Sequence, residues 1–550
     1  MRRAALIAVA ALLTATVLGG CRQKRAAADQ ASRSGAPRAG GTLVYATDRE
    51  PLCLDPHVLG DMPQVFLARQ YLDSLVSMDA TGTIRPWLAE SWQISADKLS
   101  YRFELRHDVR FTDGTPFDAA ALKANLDHIV DPATQSSTAG GYIRQYAGTD
   151  IVGPFTAVVH LSSPYAAFLQ VLAQGFLGME SPAALRRGRD ANCQHPVGSG
   201  PFRVERWDHQ SRVVLDRNPD YRWAPPIAAH QGPAWLDRVE WRFIPEASVR
   251  FGSLQAGEVD VIDGLPPEDE TPAGHNPDLW VLIADRPGNP TNGTLNIRRP
   301  PFDDIRVREA FIRSCDIDAA LASVFFKHYR HAGGPLSPST PDYSPDFEHS
   351  KDFDPARAAR LLDEAGWHRG PDGIRMRDGQ RLVVHVPIRM SMSAADRSLW
   401  EQVQATTRDA GFDTRLEPGP DTAVIAREFR WDYDMRLGYW NTNTPDVLRI
   451  VFSSASNRSI SGSGRPGPHQ NTSGFADPAF DAVVQKALAT DDPAERRALY
   501  HDAQARIAAA QLQVTTYPQT TRLAIRRDVH GVSIEPSLGV SSLYDAWINR

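Results

Sequence analysis

The chain has 550 residues, of which 42% are hydrophobic, with 60 Lys and Arg against 66 Asp and Glu and a formal charge of −6. That length exceeds what one hydrophobic core holds together, so at least two domains are expected. A slight acidic excess provides no basic face for nucleic acid, and no nucleic-acid partner is expected.

In chain order, Arg2 and Arg3 form a positive start, and Ala4–Leu18 runs on without a charge. This run is shorter than the roughly 20 residues of a spanning helix, and its small-residue end favours processing. Leu18-Gly19-Gly20-Cys21 resembles the lipobox of bacterial lipoproteins, whose cleaved chain begins at the cysteine and carries lipid on its sulfur. The resemblance implies a signal peptide over 1–20, a lipid-bearing Cys21, and a protein held in the cell envelope, either periplasmic or on the outer face of the cytoplasmic membrane. An uncleaved membrane anchor is the alternative, and in both cases the rest of the chain is exported. Residues 21–39 lack apolar periodicity and read as a flexible tether. Such a coil reaches about 25 Å.

From Gly40 onward strands alternate with helices. Thr42–Thr47, Ser100–Arg106, Thr156–Leu161, Arg212–Asp216, Val239–Ile244 and Val259–Ile262 read as strands, followed by Leu382–Ile388, Tyr433–Trp440 and Leu523–Arg526. Asp97-Lys98 is the expected turn of a hairpin that brings Tyr101, Phe103 and Leu105 inward. Asp118 caps a helix over Ala119–Ile129. Gly200-Pro201 is expected to reverse the chain where lobes meet. Gly257 and Gly366 end the helices Ala247–Ala256 and Pro355–Ala365 as left-handed caps. Asp354-Pro355, Asp477-Pro478 and Asp492-Pro493 each put an acceptor before a proline suited to the first helical turn, and Glu495 is expected to complete a capping box with Asp492. The class is α/β. After Cys21, three cysteines remain, which allow three pairings. Cys53–Cys193 is favoured, because Cys315 falls in an apolar helical run over Val307–Phe326. Unpaired core cysteines are the competing reading.

Catalytic motifs are missing: no G-x-S-x-G, no H-E-x-x-H, no phosphate loop and no C-x-x-C. No enzyme activity and no cofactor are expected. His328 and His331 stand three apart, as metal ligands can, but no third ligand is near in sequence, so a metal role is a weak candidate only.

Several ordered stretches then carry a resemblance. They include Arg85-Pro86-Trp87-Leu88-Ala89-Glu90-Ser91-Trp92, Ser100–Arg106, Val109–Asp118, Gly198-Ser199-Gly200-Pro201-Phe202, Asn218-Pro219-Asp220-Tyr221, Leu254–Asp260, Pro301–Arg308 and Leu361–Trp367. The set resembles the bacterial extracellular solute-binding proteins of family 5, the peptide- and nickel-binding components of ABC importers, from Gly40 to the C-terminus. The resemblance implies a two-lobed periplasmic-binding-protein fold of class II, the large oligopeptide-binding type, with an inserted subdomain in the first lobe. The expected division is 40–75, 197–289 and 515–550 for the first lobe, 76–196 for the insertion and 290–514 for the second lobe. It further implies a monomer whose lobes close on a small peptide or similar polar solute and then dock on ABC permease subunits.

One departure bears on the ligand. Peptide-binding relatives usually carry an acidic residue between an aromatic-rich strand and the following proline, where it pairs with the peptide's amino terminus. Here that segment runs from Asp434 to Asp446, and counting back from Pro445 puts Asn441 in the place of the carboxylate. An amide brings no charge, so a charge-assisted bond becomes an ordinary one about half as strong. Either the ligand presents no free amino terminus, or another acid such as Asp446 or Asp48 meets it. Arg436, Arg389 and Arg397 are candidates for an anionic group. Tyr439 and Trp440 are candidate walls, of which strand alternation should aim only one inward. Asn443 completes the candidate set. Competing functions are a nickel or metal-chelate receptor and a sensory or adhesion receptor on the same fold.

Overall fold

The computed structural model describes residues 36–457 and 470–550; Cys21 and the residues before it lie outside the described region. Its largest sheet has seven strands in the order Leu279–Asp285, Thr520–Arg526, Val261–Asp263, Thr42–Thr47, Arg238–Phe243, Arg212–Arg217 and Phe202–Asp208. Thr42–Thr47 lies parallel to both of its neighbours, and the remaining pairs are antiparallel. Period-2 alternation builds these strands: Val239, Trp241 and Phe243 are buried while their neighbours are partly exposed. Tyr45 stacks on Trp241 with ring centroids 3.9 Å apart.

A four-stranded antiparallel sheet is formed by Ala89–Ile94, Ser100–Leu105, Thr156–Leu161 and Tyr146–Gly153. Tyr101, Phe103 and Leu105 point into its core, as their spacing predicts. Lys98 adopts a left-handed φ of 61° at the hairpin turn. Asp118 accepts from the Ala121 amide at 2.8 Å and starts the helix Ala119–Val130. This region has no core of its own. Leu105, Phe117 and Leu126 belong to the same apolar cluster as Leu43, Val239 and Ile525 of the seven-stranded sheet. The two sheets therefore share one core.

The second body is built around Gly288–Leu295, which lies between Met435–Asn441 and Gln513–Thr515, and around the parallel pair Val383–Arg389 and Asp413–Gly419. Helices Ile305–Arg313, Ile317–Val324, Pro355–Glu364 and Ala394–Ala410 cover one apolar cluster. Pro478–Ala489 and Pro493–Ala510 enclose another with Val447, Leu448 and Phe452. The chain passes between the bodies at 286–287 and again at 516–519. The two crossings are laced together: the Arg286 amide donates to the Gln519 carbonyl at 2.7 Å, and the Thr516 amide to the Thr291 carbonyl at 2.8 Å.

Three local expectations change. The apolar run over Val307–Phe326 is two helices, because Ser314–Asp316 break it and the Asp316 carboxylate caps the second at the Ala319 amide. Glu495 makes no capping box: Asp492 accepts from Ala494, while Glu495 pairs with Lys486 at 2.8 Å. Gly200-Pro201 reverses the chain where the four-stranded region rejoins the seven-stranded sheet, not at the seam between the two bodies. There the Gly200 amide donates to the Tyr71 carbonyl at 3.0 Å, an approach that leaves no room for a Cβ. Cys53 and Cys193 form a disulfide. Cys315 is a buried free thiol that donates to the Phe311 carbonyl at 3.2 Å, and burial pushes its pKa up.

Candidate functional site

The strand Met435–Asn441 carries the candidate residues to the seam between the bodies. A cavity of about 50 Å³ lies against it, lined by Arg436, Tyr439 and Trp440 together with Asn289, Asn292 and Gln513. Both aromatic side chains line the cavity, although alternation predicts one. Between Asn289 and Asn292 the paired strand spends one more residue than its partner spends between Trp440 and Gly438. This bulge, at Pro290 and Thr291, breaks the pleat opposite Tyr439. The volume holds one or two waters at about 30 Å³ each, so a solute of peptide size enters only as the walls part.

Across the seam, the segment that follows Thr42–Thr47 brings Arg49 to Tyr439. Burial works against the Arg49 charge, but Tyr439, Asp48 and Asp61 outweigh it and hold its pKa above the ordinary value. Asp48 is exposed, and Thr47 Oγ1 donates to it at 3.3 Å. Asp263 is buried behind it. Burial and the Asp48 charge push its carboxyl pKa up, against the pull of Arg286 and Arg250. Several buried polar atoms in this zone have no hydrogen-bond partner: Arg49 Nε, Arg436 Nε, Trp440 Nε1 and Asn441 Oδ1. Each such group costs about 1–3 kcal/mol, and a polar occupant that meets them recovers that cost.

Asn441 is buried. Its Nδ2 donates to the Pro287 carbonyl at 3.3 Å, and its own carbonyl accepts from Tyr142 Oη at 2.5 Å. Beyond it, Gln174 Nε2 donates to Thr442 Oγ1 at 3.0 Å and to Asn443 Oδ1 at 2.7 Å, while Asn443 Nδ2 donates to the Gln170 carbonyl at 2.7 Å. These bonds join the four-stranded region to the second body. Asn443 is thus part of a latch between the bodies. Arg144 adds a bond to Gln470 Oε1 at 2.7 Å. Asp446 is fully buried and gripped at both oxygens by Arg449, at 2.8 and 2.6 Å. Its charge is already matched, and it does not line the cavity.

Two of the three candidate arginines converge, but on a carboxylate of this chain, Glu428. Arg389 donates to both oxygens of Glu428 at 3.1 and 3.2 Å, and Arg436 Nε lies 3.5 Å from the same carboxylate. Arg397 sits on the helix Ala394–Ala410, away from the cavity lining. His328 faces Glu270 at 3.3 Å and His331 faces Asp318 at 3.4 Å, so the two histidines serve different partners. Sequence reasoning missed Arg49, Asp263, Tyr142 and Gln174. None lies in a motif, and only their distance in the fold from Tyr439, Asn441 and Asn443 marks them.

Residues 83–461 match the model of the bacterial extracellular solute-binding proteins, family 5 Middle. The glutathione-binding protein GsiB of Salmonella paratyphi A (strain ATCC 9150 / SARB42) is 29% identical over 471 residues, covering 84% of this chain and 86% of that protein. The crystal structure of NikA from Brucella suis in complex with Fe(III)-EDTA superposes with a TM-score of 0.78 at 27% identity, over 92% of this chain and 100% of that one. DppA from Helicobacter pylori, an ABC transporter-associated periplasmic binding protein in complex with the peptide STSA, shares the fold at a TM-score of 0.80 and 24% identity, over 93% and 99% of the two chains. The fold is therefore the mixed α/β, class II arrangement of the large oligopeptide-binding type. With well over half of its length matched, the chain belongs to the bacterial extracellular solute-binding proteins of family 5, a family of binding proteins rather than enzymes.

Proposed function

We propose that this protein is the lipid-anchored receptor of an ABC importer, capturing a small peptide or glutathione-like solute in the seam between its bodies. Tethering through Cys21 and residues 21–39 keeps the receptor beside its permease. The proposed division is a first lobe over 40–75, 197–289 and 515–550, an insertion over 76–196 and a second lobe over 290–514. The two laced crossings at 286–287 and 516–519 serve as the hinge.

The observation that carries the reading is the set of unpartnered buried groups at the seam. Arg49 suits a carboxylate, and Trp440 Nε1 suits an amide carbonyl, while the Arg436 charge already faces Glu428. A short peptide or glutathione supplies all of these. The similarity to the glutathione-binding protein GsiB supports the same ligand class. No histidine stands among the described lining residues, which favours a peptide-like solute over a metal chelate.

Within this reading the ligand's amino group is not held by a carboxylate on the segment 435–446. Asn441 is neutral, and Asp446 is spent on Arg449. Asp48, which acts on Arg49 beside Tyr439, is the acid proposed to meet an ammonium. A thermal-shift screen of the chain from Gly40 tests this with glutathione and with matched short peptides, free or acetylated at the amino terminus. Ligand at 100 times its Kd adds about 2.7 kcal/mol, which a melting curve resolves. Comparable stabilisation by both peptide forms is expected. Stabilisation by free-amine ligands alone overturns the Asn441 reading, and no response to any of them removes the peptide-class assignment.

A further inference from the structure

Where the first loop of the seven-stranded body meets the helix Ala119–Val130, three metal-binding side chains converge. We propose that Asp55, His57 and His128 form a site for a late first-row divalent cation of the zinc class, tying that loop to the helix. The three side chains offer ligand atoms that all lie within 4.8 Å of one another. His128 Nε2 is 3.3 Å from Asp55 Oδ2, and His57 Nδ1 is 3.7 Å from Asp55 Oδ1. A tetrahedral ion with bonds of about 2.0–2.1 Å separates its ligand atoms by roughly 3.3–3.4 Å; the His128–Asp55 pair already has that spacing, and the remaining pairs close on the ion by at most about 1.5 Å.

The surroundings supply the second shell such a site needs. His57 Nε2 lies 2.9 Å from the Gly178 carbonyl, so this nitrogen carries the proton and leaves the Nδ1 lone pair free. That Nδ1 is fully buried, has no hydrogen-bond partner and is aimed at Asp55. Asn192 Nδ2 donates to Asp55 Oδ2 at 2.9 Å and to Glu180 Oε2 at 2.6 Å, orienting the first carboxylate through the second. His128 Nδ1 lies 3.2 Å from Thr134 Oγ1, which turns its Nε2 toward Asp55.

Two imidazoles and one carboxylate make a set of borderline N and O donors suited to Zn²⁺, Co²⁺ or Ni²⁺ rather than Mg²⁺ or Ca²⁺. His128 is partly exposed and provides the way in. The neighbouring Cys53–Cys193 disulfide ties the same loop to the segment that holds Asn192, so a cation here is a second staple at one junction.

The test uses the chain from Gly40 stripped with EDTA. Zinc titration is followed by calorimetry, bound metal is counted by mass spectrometry, and Co²⁺ is read by its visible d–d absorption. One equivalent per chain is expected, with cobalt bands of a four- or five-coordinate N/O site. His57→Asn and His128→Ala should each weaken binding by at least about 100-fold, as losing a ligand exceeds losing a second-shell partner. His331→Ala should leave it unchanged. His128→Gln, at a partly exposed position, decides the matter if His57→Asn fails to fold by circular dichroism. Absence of bound zinc in the stripped and reloaded wild type, or equal affinity in the His128 variants, overturns the proposal.

Discussion

Gln174→Met isolates the latch between the bodies. Gln174 is fully buried, and its Nε2 makes two bonds to the second body, to Thr442 Oγ1 and Asn443 Oδ1. Methionine keeps the length and bulk of the side chain and removes both donors. Each bond contributes about 1 kcal/mol net, so the joined state loses about 2 kcal/mol relative to the parted one. Because a solute held between the bodies requires the joined state, apparent affinity falls by roughly 30-fold. The ligand-free melting temperature should barely move, since both bodies keep their own cores intact. Calorimetry with glutathione, or with the best ligand from the peptide screen, reads the affinity. Small-angle scattering reads the fraction joined with and without ligand. Affinity within threefold of wild type, together with unchanged scattering, would refute the claim that these bonds report closure.

Three further outcomes are expected. Asn441→Asp puts a carboxylate opposite the Pro287 carbonyl, so it should lower stability by about 1–3 kcal/mol while raising the preference for free-amine over acetylated peptides by about tenfold; paired melts and titrations check both. Cys53→Ser opens a closure of 140 residues and should cost about 2–5 kcal/mol, lowering the melting temperature to that of the protein treated with reductant. Asp73 is buried, which raises its pKa to about 6 against the bonds from Ser199, Trp223 and Tyr221. Its contribution to stability is therefore fully present below about pH 4 and lost as pH rises through 6. Asp73→Asn cannot titrate, so relative to wild type it should lose up to about 3 kcal/mol on going from pH 7 to pH 4, followed by urea melts; His57, which titrates in both proteins, cancels from the difference.

The family was legible because its motifs are scaffold chemistry, and scaffold chemistry is local. Asp118, Asp354 and Asp477 cap the helices they precede, and Gly257 ends its helix with a φ of 76°. Caps and turns need only a few adjacent residues, so the sequence displays them directly. Alternation likewise located Thr42–Thr47, Thr156–Leu161 and several other strands, but passed over Phe202–Asp208, Leu279–Asp285 and Gly288–Leu295. The break at Ser314–Asp316 was hidden because the apolar residues on both sides keep helical spacing through it.

The candidate site was only half readable for the opposite reason. The strand that carries Arg436, Tyr439, Trp440 and Asn441 stands out in sequence, but its partners Arg49 and Tyr142, and Gln174 on the Thr442 and Asn443 that follow it, are marked by no motif. Whether Asp446 is free depends on Arg449, and whether both aromatic rings face inward depends on a bulge in a different strand. By itself the sequence determined export, the alternation of strands and helices, and the family, all of which are written in neighbouring residues. Tertiary structure alone decided which charges are already paired, which polar groups stand buried without partners, and where the two bodies touch. Beyond local pairs such as Asp446 and Arg449, those properties belong to contacts between distant segments, as with Gln174 and Asn443, 269 residues apart, and such contacts exist only after the chain has packed.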